Sequence, residues 1–215
     1  MKKLSILVLA LLISTLVFAF EWDSIGPNNV YVNNFNVVSY NIDIEILCTT
    51  DGIIIHEGDA WNSYSNVQLP ALTVVGLDPD NLLVLFSDGS WSDGIYKFNL
   101  TIHQFEIVEW IAFPKFLHYC EINNTYFAGG EYGMLKSTDG LNFSSIEFFN
   151  LKKCDAFASF GNHIVVSADN GIYCSSDGGE TWNPGQTGSP IIYDMCFDQE
   201  GCLYGIFPGL SNSSG

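Results

Sequence analysis

The sequence predicts an all-β chain, a β-propeller of four-stranded antiparallel blades, and two observations carry that prediction. Glycines that open short apolar strands recur at Gly52, Gly94, Gly133 and Gly171, at intervals of 42, 39 and 38 residues. The segments between them alternate, are rich in Val, Ile, Phe and Tyr, and break at Gly, Asn or Asp every few residues. That is the chemistry of strands and turns rather than of helical repeats. A period near forty with several short strands per unit points to propeller blades. After the amino-terminal apolar run, no segment has the periodicity of an amphipathic helix.

Taken in order, the chain begins with Met1-Lys2-Lys3 and an uncharged, mostly apolar run from Leu4 through Val17. A short basic start followed by such a run is a secretory signal, and Val17 and Ala19 are small enough for the positions before a cleavage site. Residues 1–19 are therefore expected to be a signal peptide and the mature chain to be secreted or held at the cell surface. The rival, an uncleaved anchor, needs a longer apolar helix. Nothing after the signal has the character of a transmembrane segment.

The remainder, 20–215, divides into repeats at about 28–66, 67–112, 113–151, 152–188 and 189–215. In the third, "FLHYCEI" reads as strand A, "TYFAGG" as B, "GMLKS" as C and "NFSSIEFF" as D; in the fourth, "AFASF", "HIVVSA", "GIYCS" and "TWNPG" repeat the order. A single sheet of this kind cannot bury both faces, so each must stack on its neighbours. The fifth repeat holds only A and B strands, in "IIYDMCFDQEGCLYGIF". The expectation is an open arc of four blades and a partial fifth, the amino-terminal part of a longer protein. "EWDSIGP", Glu21 to Pro27, resembles the D strands "AWNSY" and "TWNPG", with Trp22 in the place of Trp61 and Trp182. It is expected to be a strand without its full sheet.

Charge narrows the partners. Seven lysines and no arginine stand against 24 acidic residues, a formal charge of −17; two of those lysines lie in the signal, so the mature chain stands at −19. Phosphate backbones and anionic membranes bind through Lys and Arg, so nucleic acid is excluded as a partner. All six cysteines follow the signal, where an oxidising compartment permits disulfides. Cys196 and Cys202 flank the turn "DQEG" and are placed to face each other across a hairpin; buried reduced thiols acting as small apolar residues fit the pattern equally. No Cys or His spacing matches a metal site, His56, His103, His118 and His163 being scattered, and no metal or cofactor is expected.

One segment carries a specific motif. Ser175-Ser176-Asp177-Gly178-Gly179-Glu180-Thr181-Trp182 fits S-x-D-x-G-x-T-W at every fixed position, between strands C and D. Ser and Asp side chains accept hydrogen bonds from the amides of a tight turn, glycine supplies its backbone angles, Thr181 enters strand D, and Trp182 caps the hairpin. Ser137-Thr138-Asp139-Gly140-Leu141-Asn142-Phe143 is a one-residue-shorter copy, with Phe143 for the tryptophan. On these boxes the chain resembles the BNR/Asp-box β-propeller superfamily over nearly all of its mature length, and "GLDPDNLL", Gly76 to Leu83, looks like the A to B turn of those repeats. The resemblance implies that Ser137, Asp139, Phe143, Ser175, Asp177, Gly179, Thr181 and Trp182 are structural and lie opposite the binding face. It also brings in sialidases, xyloglucan-degrading glycosidases, photosystem assembly factors and sortilin-like peptide receptors. The first and third depend on arginine clusters, and this chain has no arginine.

In a propeller the B to C and D to A connections share one face. The B to C loops, Thr49–Gly52, Ser87–Gly94, Gly129–Gly133 and Ser167–Gly171, carry Asp51, Asp88, Asp93, Glu131 and Asp169, with Trp91 and Tyr132 beside them. Asp-Gly and Asn-Gly are also what tight turns select, so each acid has a plain turn role as its competing reading. Trp91 stands apart, because "SDGSWSDG" is longer than a hairpin needs, although packing on the next blade explains it equally. An acidic rim with exposed aromatics suits an extracellular glycan or a protein partner. The function expected is thus a binding or surface scaffold module. The alternative is a polysaccharide-cleaving glycosidase, which needs only two carboxyl groups across the scissile bond. Glycosylation sequons begin at Asn99, Asn123, Asn142 and Asn212.

Overall fold

The structure is a computed structural model, and it describes residues 32–39, 43–57, 60–65, 69–78, 81–90, 93–169, 171–187 and 192–207. The expected signal peptide, the expected strand at Glu21 to Pro27, and Trp91 lie outside the described residues.

Among the described residues, alternating apolar residues punctuated by Gly and Asn turns give four four-stranded sheets and one two-stranded sheet, each an antiparallel meander in chain order. Blade 1 holds β1 (Val32–Ser39), β2 (Asp43–Thr49), β3 (Gly52–Glu57) and β4 (Ala60–Tyr64). Blade 2 holds β5 (Ala71–Asp78), β6 (Asn81–Phe86), β7 (Gly94–Asn99) and β8 (Gln104–Trp110). Blade 3 holds β9 (Pro114–Cys120), β10 (Thr125–Gly130), β11 (Gly133–Ser137) and β12 (Ser144–Ser145). Blade 4 holds β13 (Cys154–Phe160), β14 (His163–Ala168), β15 (Gly171–Ser175) and β16 (Asn183–Thr187). The fifth sheet pairs β17 (Asp194–Phe197) with β18 (Leu203–Ile206). This is the architecture of a β-propeller. No helix among the described residues is long and apolar enough to cross a membrane.

The four marker glycines are the first residues of β3, β7, β11 and β15. Close approach explains two of them. A Cβ on Gly52, whose φ is +132°, would lie 2.2 Å from the carbonyl oxygen of Tyr64, and one on Gly94 would lie 2.4 Å from that of Glu109. Strand D runs too near the start of strand C for a side chain there.

The core sits between blades. Leu82, Val84 and Phe86 of β6 face blade 1, where Ile46, Ile53 and Ile55 meet them, while Leu83 and Leu85 face Leu117, Tyr126 and Ala128 of blade 3. The same alternation on β14 sends Ile164 and Val166 to Phe127 and Met134 of blade 3, and Val165 to Met195 of the fifth sheet. Period-two alternation thus supplies both faces of each interior sheet, and each fully buried Leu or Phe stabilises the stack by about 1.5–3 kcal/mol. The inner strands β1, β5, β9, β13 and β17 pack in sequence around an axial cavity of about 530 Å³ lined by residues from all five sheets.

Three local expectations are corrected. Strand D of blade 3 does not run from Asn142 to Phe149: β12 ends at Ser145, and a 3-10 turn, η1 (Glu147–Phe149), follows. The turn carries Phe149 inward to full burial, edge-on to Trp182 at 4.7 Å between ring centroids. In blade 4, Thr181 belongs to the turn rather than to strand D, because its N–H is donated to the Asp177 carboxylate. Cys196 and Cys202 are free thiols, and Cys196 stands opposite Tyr204 rather than Cys202.

Candidate functional site

Among the described residues, the expected binding residues Asp51, Asp88, Asp93, Glu131, Tyr132 and Asp169 sit at the end of the propeller where strands B give way to strands C, and the local bonding of the acids limits their chemistry. Asp51 is exposed in the two-residue turn between β2 and β3, its N–H donated to Thr49 Oγ1 at 3.3 Å. Asp93 is buried, 1% exposed, and accepts from Ser87 Oγ at 2.7 Å and from the N–H of Asp88 at 2.9 Å. It closes its loop from within. Asp88 accepts from the N–H of Ser90 at 2.9 Å, and hydrogen bonding from Ser90 holds its carboxyl below the ordinary carboxylate value. Asp169 adopts a φ of 50°, accepts the N–H of Lys153 at 3.0 Å and returns its own N–H to the Lys153 carbonyl at 2.7 Å. Glu131 meets Lys153 Nζ at 3.2 Å and Lys115 Nζ at 3.9 Å, while Lys153 also reaches Asp155 at 3.4 Å. These acids lie on separate blades, apart from the Asp88 and Asp93 pair, and each serves its own turn or a lysine.

Aromatic residues at this end are freer. Tyr132, in the turn between β10 and β11, is 55% exposed, with its ring centroid 6.4 Å from that of Phe113. Trp110, the last residue of β8, is 56% exposed and touches Tyr96 edge-on at 6.3 Å. Both line a groove of about 140 Å³ between blades 2 and 3, together with Met134, Ser145, Ile146 and Asn150. Sequence reasoning missed Trp110. The available signal was an aromatic at the end of strand D immediately before a D to A connection, in "EWIAFP".

A second cluster missed in the sequence lines the axial cavity. His118 Nε2 on β9 lies 3.0 Å from Ser159 Oγ on β13. Burial pushes His118 down to about 4, so the imidazole is neutral at pH 7. Elsewhere on β13, Asp155 Oδ2 is buried without a hydrogen-bond partner. Among the described residues no group of three His, Cys, Asp or Glu side chains is placed to hold a metal ion.

The two box turns lie at the opposite end. Ser175 Oγ accepts the Gly179 N–H at 2.8 Å, Asp177 accepts the N–H groups of Glu180 and Thr181 at 3.1 and 2.9 Å, and Trp182 Nε1 donates to the Gly179 carbonyl at 3.1 Å. Ser137 Oγ likewise accepts the Gly140 N–H at 2.9 Å, and Asp139 accepts from Leu141 and Asn142 at 2.9 and 2.8 Å. Hydrogen bonds from Asn142 to Asp139, and from Ser175 and Thr181 to Asp177, hold both carboxyls well below the ordinary range. Phe143 packs on the interface between blades 2 and 3.

With the geometry in hand, comparison with known proteins places the fold. No family model matches the chain, and no curated protein matches it. Solved structures do. The extracellular domains of two putative hybrid two-component systems from B. thetaiotaomicron superpose with TM-scores of 0.61 and 0.64 at 16% and 12% identity, over 83% of this chain in each case. A gluconolactonase from Xanthomonas campestris superposes with a TM-score of 0.55 at 12% identity, over 82% of this chain and 69% of its own. The likeness is one of fold. This chain spans only 28% and 26% of the two sensor-system domains.

Proposed function

We propose that this chain is an exported, strongly acidic β-propeller that serves as a binding or surface scaffold module for an extracellular glycan or protein, engaged through the end where the B to C and D to A connections lie. The observation that carries the reading is the difference between the two ends. The box turns direct Ser137, Asp139, Ser175 and Asp177 onto their own amides, whereas the other end offers Trp110 and Tyr132 to solvent beside acidic turns. Exposed amphipathic rings next to polar groups are the usual material of recognition surfaces. The basic start and apolar run of residues 1–19 support export.

The second reading is a glycosidase, and it requires a carboxylic acid held protonated by a raised pKa opposite a second carboxylate. At this end hydrogen bonding from Ser90 lowers Asp88, and Asp93 is occupied by Ser87 Oγ and the Asp88 N–H. Glu131 is held by lysine. This favours binding over hydrolysis. The test is to run the mature chain by native electrophoresis through gels containing neutral polysaccharides while assaying the same mixtures for new reducing ends. Retardation without release is expected. Sustained release that disappears on replacing two carboxylates of this end would establish the glycosidase instead.

A further inference from the structure

We infer that the groove between blades 2 and 3, flanked by Trp110 and Tyr132, is a saccharide-binding subsite whose ligand is a neutral glycan; this deepens the binding-module reading and rests on it. Two large rings from adjacent blades are each more than half exposed at the mouth of one groove. Trp110 is 56% exposed, and among the described residues its ring meets the edge of Tyr96, so much of the indole's apolar surface faces water. The groove is lined by Met134 and Ile146, both buried, and by Ser145 and Asn150, both exposed, which bring a hydroxyl-bearing and an amide-bearing residue to it. A pyranose matches this arrangement: its axial C–H face stacks on an aromatic ring, while its equatorial hydroxyls reach amide and hydroxyl partners at the edge. Few convergent polar groups on an apolar cleft are the general pattern of small-ligand recognition.

Charge selects the class of sugar. A mature chain at −19 with five lysines repels uronic, sulfated and sialylated glycans at long range. A basic peptide would be drawn by the same field, but the nearest acid beside Tyr132, Glu131, is already held by Lys153 at 3.2 Å. What remains accessible in the groove is aromatic and neutral-polar, which favours the sugar. At about 140 Å³ the groove has room for little more than one ring of a longer chain.

The experiment titrates the mature protein with cellohexaose and mannohexaose, with polygalacturonate as the anionic control and oligolysine as the basic one. It compares the wild type with Trp110→Ala, Tyr132→Ala, Trp110→Phe and Tyr204→Ala, the last an exposed aromatic on β18 remote from the groove. Thermal melts of every variant guard against misfolding. The inference expects binding of a neutral hexasaccharide, a loss of about tenfold or more for each alanine variant at unchanged Tm, partial retention in Trp110→Phe, and no change in Tyr204→Ala. Saccharide binding that survives both alanine variants overturns the groove and leaves the module reading intact. Binding of oligolysine but of no neutral sugar overturns the ligand class. If the wild type binds no sugar, no oligolysine and no extracellular protein, both the inference and the module reading fall.

Discussion

The side-chain amide of Asn123, in the turn between β9 and β10, donates to the Gly178 carbonyl at 2.8 Å. The A to B turn of blade 3 is thereby tied to the box turn of blade 4, and Gly178 is held from its other side by its N–H to the Asn162 carbonyl at 2.9 Å. Asn123→Ala should cost about 1 kcal/mol, the net worth of one such bond, measured by urea denaturation. Asn123 also begins a sequon, and the nitrogen that would carry a glycan is the donor in this contact. In a glycosylating host Asn123 should stay unmodified in the folded protein. A peptide map showing it fully occupied in a chain with wild-type Tm would contradict the contact.

Blade 4 allows the turn and the core beneath it to be separated. Trp182 is buried against Phe149, and Trp182→Ala should destabilise by about 3–5 kcal/mol through the cavity it leaves. Asp177→Ala should lower Tm without changing ligand affinity. Wild-type stability together with lost binding would move the box from scaffold to site.

Acid sensitivity follows from the same carboxylates. Asp139 and Asp177 have folded-state values depressed below the ordinary 3.8. Their contribution is therefore fully present above pH 3.8 and is lost as the pH falls below it. Stability curves of Asp139→Asn with Asp177→Asn should be flatter than wild type below pH 4. Parallel curves would show that the turns do not depend on ionised carboxylates.

His118 acts in a higher window. Its value falls from 6.5 to about 4 on burial, so the stabilisation from keeping it neutral is present above pH 6.5 and declines between 6.5 and 4. His118→Gln should remove that part of the slope in denaturation curves taken across this range. An unchanged slope would mean that the ring titrates as in water.

Two glycines with positive φ give a graded test. Gly52→Ala meets both a φ of +132° and a carbonyl 2.2 Å from the new Cβ, whereas Gly161, at φ +57°, has open space around the same position. Gly52→Ala should cost roughly 2 kcal/mol or more, and Gly161→Ala clearly less. Equal effects would show that strand D yields to the added methyl.

How far the fold could be read ahead depended on whether its signals were local. The strands β10, β11, β14 and β15 coincide with "TYFAGG", "GMLKS", "HIVVSA" and "GIYCS" because each is bounded by turn residues that fix its ends. The early end of β12 was hidden, because Phe149 turns inward to meet Trp182 on the next blade, a contact across 33 residues that no local pattern announces. The axial pair was similarly distant. His118 and Ser159 lie 41 residues apart, one repeat period, and meet because successive inner strands stack side by side. At the candidate site the acidic turns were legible as turn chemistry. Trp110 was not, because a tryptophan ending a strand looks like core until its neighbour's geometry leaves it in water.

On the proposed reading, partners engage the B to C and D to A end rather than the box end. Amide hydrogen exchange of the mature chain, with and without a saturating neutral hexasaccharide or a purified protein partner, tests it most directly. Slowed exchange is expected at residues 111–113, 131–134 and 150–153, with residues 138–142 and 176–181 unaffected. Protection centred on the two box turns, with none around Trp110 and Tyr132, would contradict it.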